Sequence, residues 1–190
     1  VAARARGMGA AVTVTEVDPV KALEAKMDGF VVESLERASE QGDLFITCTG
    51  QTRVIRKEHF EKMKDGAILA NTGHFDVEID ANFLYRNFES TEVRTNVERF
   101  EFYGKSLYLL SKGRVINLIA GEGHPPEVMA LSFANQIASI LHVARNYKKM
   151  EKKVHPVPKE IDNRVAQLAL EAMGVKIDKL TIKQRRYQSR

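Results

Sequence analysis

The chain has 190 residues, 44% apolar and 28% charged, which suits one large domain, or one plus a tail, with a packed core. It holds no unbroken run of about 18 apolar residues, its first residues lack a hydrophobic signal core, and its single cysteine, Cys48, rules out an intrachain disulfide and points to a reducing, cytoplasmic setting. Net charge is +4, with 13 Lys and Arg against 5 Asp and Glu over residues 142–190; this basic end lacks interleaved aromatics or an RNA-binding signature, so it reads as solvated helix faces or a subunit contact, with neither nucleic acid nor membrane as a partner.

Residues 1–9 read as the last turns of a helix closed by glycine. Ala11 to Thr15 is a short β-branched strand. Pro19 suits the first turn of a helix that continues through Met27 and stops at Asp28 and Gly29. Phe30 to Val32 is a small strand, and Ser34 is the candidate N-cap of a helix reaching Gln41. Asp43 to Cys48 is a buried strand broken by Thr49 and Gly50. Residues 56–64 suit a short helix, Asp65 and Gly66 turn, and Ala67 to Asn71 is the central buried strand. It runs into the polar turn Asn71, Thr72, Gly73, His74. Strands alternating with helical stretches predict βαβ units and a parallel sheet.

From about residue 80 the pattern changes. A helical turn, Ala81 to Arg86, leads into strands at 92–95, 98–102 and 106–110, with Tyr103 to Lys105 as a hairpin turn. Lys112 and Gly113 turn again into an apolar, strand-like run from Arg114 to Ile119. A long helix follows over about 126–147, with Val128, Leu131, Ile137, Leu141 and Ala144 on a face expected to be buried. Residues 154–158 are extended and proline-broken. Residues 159–173 form another amphipathic helix stopped by Gly174, and the final basic residues are a surface helix or a loose end.

Several side chains fall at element ends, where ligands bind in parallel α/β sheets. Glu16 ends a strand before a helix, the position at which an acid bonds an adenosine ribose and selects NAD over NADP; the alternative is a solvent-facing acid. The Gly-rich phosphate turn expected about 20 residues upstream is absent, so the sequence reads as beginning after the first strand and its loop. Thr49, Gly50 and Gln51 follow another strand, where small residues let a flat ligand approach, or form an ordinary turn. His74 acts on a ligand or is a hydrogen-bonded turn histidine, with Asp76 and Glu78 orienting it or facing water. Asn117, a polar amide in an apolar run, needs a partner, either a cofactor carboxamide or the backbone. His124, between Gly123 and Pro125, presents a ligand contact or packs at a helix entry. No metal-ligand spacing and no nucleophile elbow occur.

Taken together, Thr15 to Pro19 (TEVDP), Met63 to Ile68 (MKDGAI), Asn71 to Asp80 (NTGHFDVEID), Asn117 with Gly123 to Pro125, Ser132 to Gln136 (SFANQ) and Pro156 to Asp162 (PVPKEID) resemble the S-adenosylhomocysteine hydrolase (adenosylhomocysteinase) family, in order and over nearly the whole chain. The resemblance implies an α/β, Rossmann-like doubly wound parallel sheet lacking its first strand and Gly-rich loop, plus C-terminal helices. Residues 1–125 would be a partial NAD-binding domain with a hairpin-rich end. Residues 126–190 would be a helical segment completing the substrate domain and subunit contacts.

The resemblance further implies a tightly bound NAD and reversible hydrolysis of S-adenosyl-L-homocysteine to adenosine and L-homocysteine. The ribose 3′-hydroxyl is oxidised to a ketone, the 4′ proton is removed, homocysteine is eliminated, water adds and the ketone is reduced. By family position Glu16 holds the adenosine ribose of NAD with Lys21 nearby, and Thr49 and Gln51 touch NAD. Thr72, Gly73 and His74 line the cofactor and the substrate ribose, Asn117 binds the nicotinamide carboxamide, and His124 contacts the nicotinamide side and the substrate. His74 and His124 are the catalytic candidates. The family's substrate domain, with its catalytic lysine and aspartates, is absent, so the chain alone is expected to be inactive. The family's C-terminal Lys and Tyr roles do not carry over to Lys183 or Tyr187. A homotetramer or homodimer is implied. The other readings are a non-catalytic NAD-binding relative working through a partner protein, and a 2-hydroxyacid dehydrogenase.

Overall fold

A computed structural model describes residues 1–188; Ser189 and Arg190 of the basic end lie outside the described residues. The chain divides into two compact units, Val1–Gly123 and the residues from His124 on.

In the first unit α1 (Ala2–Gly7) precedes β1 (Thr13–Val14) and α2 (Pro19–Met27). Asp18 starts α2 by accepting the backbone N–H of Val20 at 2.8 Å, with Pro19 at the first helical position. Next come β2 (Val31–Val32), α3 (Leu35–Gln41, capped by Ser34), β3 (Leu44–Thr47), α4 (Lys57–Lys62) and β4 (Ala67–Asn71). Then α5 (Ala81–Asn87) leads into β5 (Ser90–Arg94), β6 (Val97–Phe102) and β7 (Lys105–Leu110). Tyr103 and Gly104 both take positive φ, 47° and 83°, as the two-residue hairpin between β6 and β7 requires.

β1 and β2 pair in parallel, and β3, β4 and β7 form a second parallel ladder that β6 and β5 extend antiparallel, in the order β3-β4-β7-β6-β5. The two sets are separate sheets: among the described residues no strand pairs β1 or β2 with β3, β4 or β7. The fold is thus a Rossmann-like α/β arrangement of parallel strands and helices. Its core packs Leu69 of β4, Leu107 and Leu109 of β7, and Phe100 and Phe102 of β6 against Phe60 and Met63. The Phe60 ring meets Phe102 edge-on with centroids 6.1 Å apart. Burial of alternate residues on β7 (Leu107, Leu109) is the two-residue period of a strand with one covered face.

The run 114–119 is not a strand. Val115 makes one parallel bridge to Asn71, and α6 (Ile116–Ile119) begins at once. Ser111, Lys112 and Gly113 all take positive φ (49°, 58° and 77°), which turns the chain off the sheet after β7. Past that single bridge the run forms no ladder, and the local bonds of a helical turn (Ala120 N–H to the Ile116 carbonyl, 2.8 Å) take over. Short apolar runs do not distinguish the two outcomes.

His59 lies in the first turn of α4. It is 7% exposed, and its Nδ1 accepts the Arg56 backbone N–H at 3.1 Å. Burial, chiefly, holds its imidazole below the ordinary value of 6.5; Glu58 pulls it up and Arg56 pushes it down. The unfolded chain accepts a proton that the folded chain resists. Stability is therefore complete well above pH 6.5 and falls as pH drops through and below that value. The expected result is a urea midpoint that drops between about pH 7.5 and about pH 5.5, and drops less in His59→Gln, whose amide oxygen keeps the cap without titrating. An equal drop in both proteins would remove His59 as the cause.

The second unit holds α7 (Pro126–Asn146), α8 (Lys159–Ala172) and α9 (Ile182–Gln188). The Asn135 amide of α7 donates to Asp162 of α8 at 2.7 Å. The face of α7 expected to be buried is not: no residue of α7 is buried, and Val128, Ile137 and Leu141 are about half exposed (52%, 60% and 49%). Within this unit α8 is the helix packed on α7, and one neighbour covers only a fraction of a helix surface. The stretch Pro126–Lys149 is also long and apolar enough, by length and composition, to cross a membrane, which the lack of an unbroken apolar run in the sequence did not reveal.

Candidate functional site

β3 and β4 are parallel neighbours in register from Leu44↔Ile68 to Thr47↔Asn71, so their carboxyl ends deliver two loops side by side. Thr49, Gly50 and Gln51 follow β3; Thr72, Gly73 and His74 follow β4. The Thr72 N–H and hydroxyl both donate to the Thr47 carbonyl, at 2.8 and 3.2 Å, which extends the β3–β4 pairing into the loops.

Asn71, the last residue of β4, is fully buried. Its Oδ1 accepts the Gly73 N–H at 2.8 Å and the Thr47 hydroxyl at 3.2 Å. Its Nδ2 donates to the carbonyls of Gly113 (2.9 Å), His74 (3.3 Å) and Phe75. Phe75 has φ of 31°, uncommon for a bulky side chain, and the Asn71 bond to its carbonyl holds it there. One amide thus ties together β3, the loop after β4 and the turn after β7.

Glu78 does not face water. It is fully buried, and its carboxylate accepts the N–H groups of Gly50 (2.6 Å), His74 (2.9 Å) and Thr49 (3.1 Å) and the Thr49 hydroxyl (3.2 Å). The Thr49 and Gly50 amides are therefore committed to Glu78 and do not point at a ligand. Gln51 donates its N–H to the Thr49 hydroxyl at 3.1 Å, and its side chain is exposed. Asp76 is exposed. The His74 ring is exposed as well, lying edge-on to Phe75 with centroids 4.3 Å apart; Glu78 orients His74 through its backbone and leaves the imidazole free.

Glu16 stands at the carboxyl end of β1, exposed, with Oε1 accepting the N–H groups of Val17 (2.7 Å) and Asp18 (3.0 Å). Those bonds, Asp18 first and Val17 second, hold its carboxyl below the ordinary carboxylate range, and Lys21 adds to the effect. The carboxylate stays ionised and keeps Oε2 for a ligand.

Asn117 sits on α6, not on a strand. Its Oδ1 is buried without a hydrogen-bond partner, an acceptor left open for a donor from outside the chain. The Val115–Asn71 bridge and the Asn71 bond to the Gly113 carbonyl anchor the base of α6 to the end of β4. His124 is exposed and opens the second unit.

The structure thus brings Thr49, Gln51, Thr72, Gly73 and His74 together at adjacent strand ends, with α6 and Asn117 beginning beside them. Glu16 and Lys21 stand together at the end of the other parallel pair. Sequence reasoning missed Asn71 as a group that shapes the loops; for Glu78 it offered orientation of His74 or exposure to water, and the structure shows the first, made through the His74 backbone, together with bonds to Thr49 and Gly50 that the sequence did not suggest. An ionised Glu16, an open amide acceptor and strand-end loops suit a dinucleotide. Among the described residues no group of three His, Cys, Asp or Glu is placed to hold a metal ion.

Residues 1–123 match the family described as S-adenosyl-L-homocysteine hydrolase, NAD binding domain. The chain is 55% identical over 191 residues to the adenosylhomocysteinase of Aquifex aeolicus, covering 100% of this chain and 46% of the relative. It is 53% identical to the adenosylhomocysteinase of Archaeoglobus fulgidus (100% and 47% covered). It is also 53% identical to the S-inosyl-L-homocysteine hydrolase of Methanopyrus kandleri (98% and 45% covered). The chain spans about half the length of these curated relatives.

Proposed function

Because the chain belongs to the S-adenosyl-L-homocysteine hydrolase family and carries its NAD-binding domain, we propose that it supplies the cofactor half of an enzyme that reversibly hydrolyses S-adenosyl-L-homocysteine to adenosine and L-homocysteine. When bound, NAD supplies a hydride acceptor for the ribose 3′ carbon and later returns the hydride. The observation that carries this reading is the open, buried acceptor of Asn117, which fits the donor side of a nicotinamide carboxamide.

Glu16 accepts the adenosine ribose hydroxyls through Oε2, and its negative charge repels a 2′-phosphate, selecting NAD over NADP. Lys21 limits that charge. Gln51 lines the cofactor through its side chain and Thr49 through its methyl group, its hydroxyl being engaged by Glu78 and Gln51, while Thr72, Gly73 and His74 line the cofactor and the substrate ribose. The His74 imidazole hydrogen-bonds near the substrate 3′-hydroxyl and organises transfer of its hydrogen. His124 offers its ring to the substrate. The enzyme acts as a homo-oligomer, tetramer or dimer, in the cytoplasm. A relative equally similar at 53% is named for S-inosyl-L-homocysteine, so the inosyl compound is the second substrate reading.

The test uses the natural polypeptide that carries these 190 residues. Bound NAD is measured after denaturation, and both thioethers are assayed for homocysteine release. The expected result is stoichiometric NAD and thiol release with no net change in NADH absorbance. Net NADH formation at each turnover would establish a dehydrogenase instead, and bound NAD without turnover of either thioether would favour a non-catalytic relative.

A further inference from the structure

We propose that Glu78 is a positioning residue that clasps the loop after β3 to the loop after β4, so that the two move as one body. A buried carboxylate is costly unless fully compensated, and here the compensation comes from neutral donors on two separate loops. Oε1 is shared between Gly50 N–H at 2.6 Å and His74 N–H at 2.9 Å, and Oε2 takes both donors of Thr49 at 3.1 and 3.2 Å. The Glu78 backbone is fixed independently. Its carbonyl accepts the N–H groups of Val54 (2.7 Å) and Ile55 (3.1 Å), beside the Ile55–Ile79 bridge.

Gly73 completes the clasp. A Cβ on residue 73 would lie 1.9 Å from Glu78 Oε1, so a side chain there and the carboxylate exclude each other. Glycine is needed because the acid occupies the space, not because of backbone strain. An ionised acid accepts on both oxygens, whereas glutamine of the same size must turn its NH2 either toward the Thr49 donors or toward those of Gly50 and His74. The first leaves the Thr49 N–H without an acceptor while Gly50 and His74 still share the oxygen; the second turns the NH2 toward the N–H groups of both Gly50 and His74 and breaks the link between the loops.

The consequence for binding rests on the reading that these loops line NAD and the substrate ribose; the coupling itself does not. The experiment compares wild type, Glu78→Gln and Gly73→Ala in the natural polypeptide carrying this chain, by amide hydrogen exchange without ligand and by titration with NAD. In Glu78→Gln, exchange in 48–51 and in 72–76 is expected to speed up together by about tenfold or more while Leu107 to Leu109 of β7 stays protected, and the NAD dissociation constant is expected to rise about tenfold. Gly73→Ala is expected to speed exchange at Thr49 and Gly50, on the other loop, by displacing the carboxylate.

Acceleration confined to the loop that carries the substitution overturns the clasp, as does protection of both loops in Glu78→Gln. If Glu78→Gln loses its fold, β7 exchanges too, and Gly73→Ala decides: release at 49–50 supports the clasp, and protection there overturns it. A wild type that binds no NAD defeats the functional reading, and the exchange data still decide the coupling.

Discussion

Asn71→Asp is expected to destabilise the first unit by about 3 kcal/mol, at least as much as Asn71→Ala, although aspartate is nearly the same shape. Alanine leaves the Gly73 N–H, the Thr47 hydroxyl and the Gly113 carbonyl without their partner in a buried place. Aspartate keeps the two bonds to Oδ1 but turns a second carboxylate oxygen toward the carbonyls of Gly113, His74 and Phe75, which now face it without a proton between them. A carboxyl there holds its proton more tightly folded than unfolded. Relative to wild type, the aspartate variant therefore regains stability as pH falls toward the carboxylate range, and the gap between them narrows. The alanine variant has no such group, and its deficit stays level. Urea midpoints at several pH values, with unchanged slope, measure both. An aspartate variant as stable as wild type at neutral pH would show that the three donor contacts of Nδ2 contribute nothing.

Where sequence and local physics agree, the fold was legible. β3 and β4 are apolar runs bounded by turn residues, α2 and α3 open at Asp18 and Ser34, and the β6–β7 hairpin sits at a residue pair that tolerates positive φ. Reading failed where tertiary context decides. The run 114–119 has strand-like composition, but three consecutive positive-φ residues turn the chain after β7, and past one bridge from Val115 to Asn71 it coils into α6. The stripe on α7 has helical spacing, yet spacing does not say what covers it, and in its own unit α8 alone is a poor cover. Glu78 is the sharpest case. Its sequence neighbours suggest a loop acid, whereas its partners Thr49 and Gly50 stand 29 and 28 residues earlier. A single sequence carries the carboxylate but not the fold that buries it. The position of His74 was legible at a strand end, while its freedom is a property of the structure: Glu78 and Asn71 hold its backbone and leave the ring unbonded.

That freedom shapes the second prediction. His74→Ala is expected to slow the oxidation step at the substrate 3′ position by roughly 10²-fold or more, within the range for loss of a positioned proton-transfer or hydrogen-bonding group. The same change is expected to leave folding stability within about 0.5 kcal/mol of wild type, because the residue is exposed and its structural bond is made by the main chain. Alanine retains that N–H, so the bond to Glu78 survives and the loop keeps its shape; the ring's contact with Phe75 is what is lost. NAD affinity is expected to change less than threefold or so, since the cost falls on the reacting geometry and not on the loops. Single-turnover measurement of transient NADH formation, alongside NAD titration and thermal unfolding, separates these effects. A slow step with intact NAD binding and stability places the imidazole at the reacting ribose. An unchanged rate of NADH formation would remove that role, and a loss of NAD affinity matching the loss of rate would make His74 a cofactor-binding residue instead.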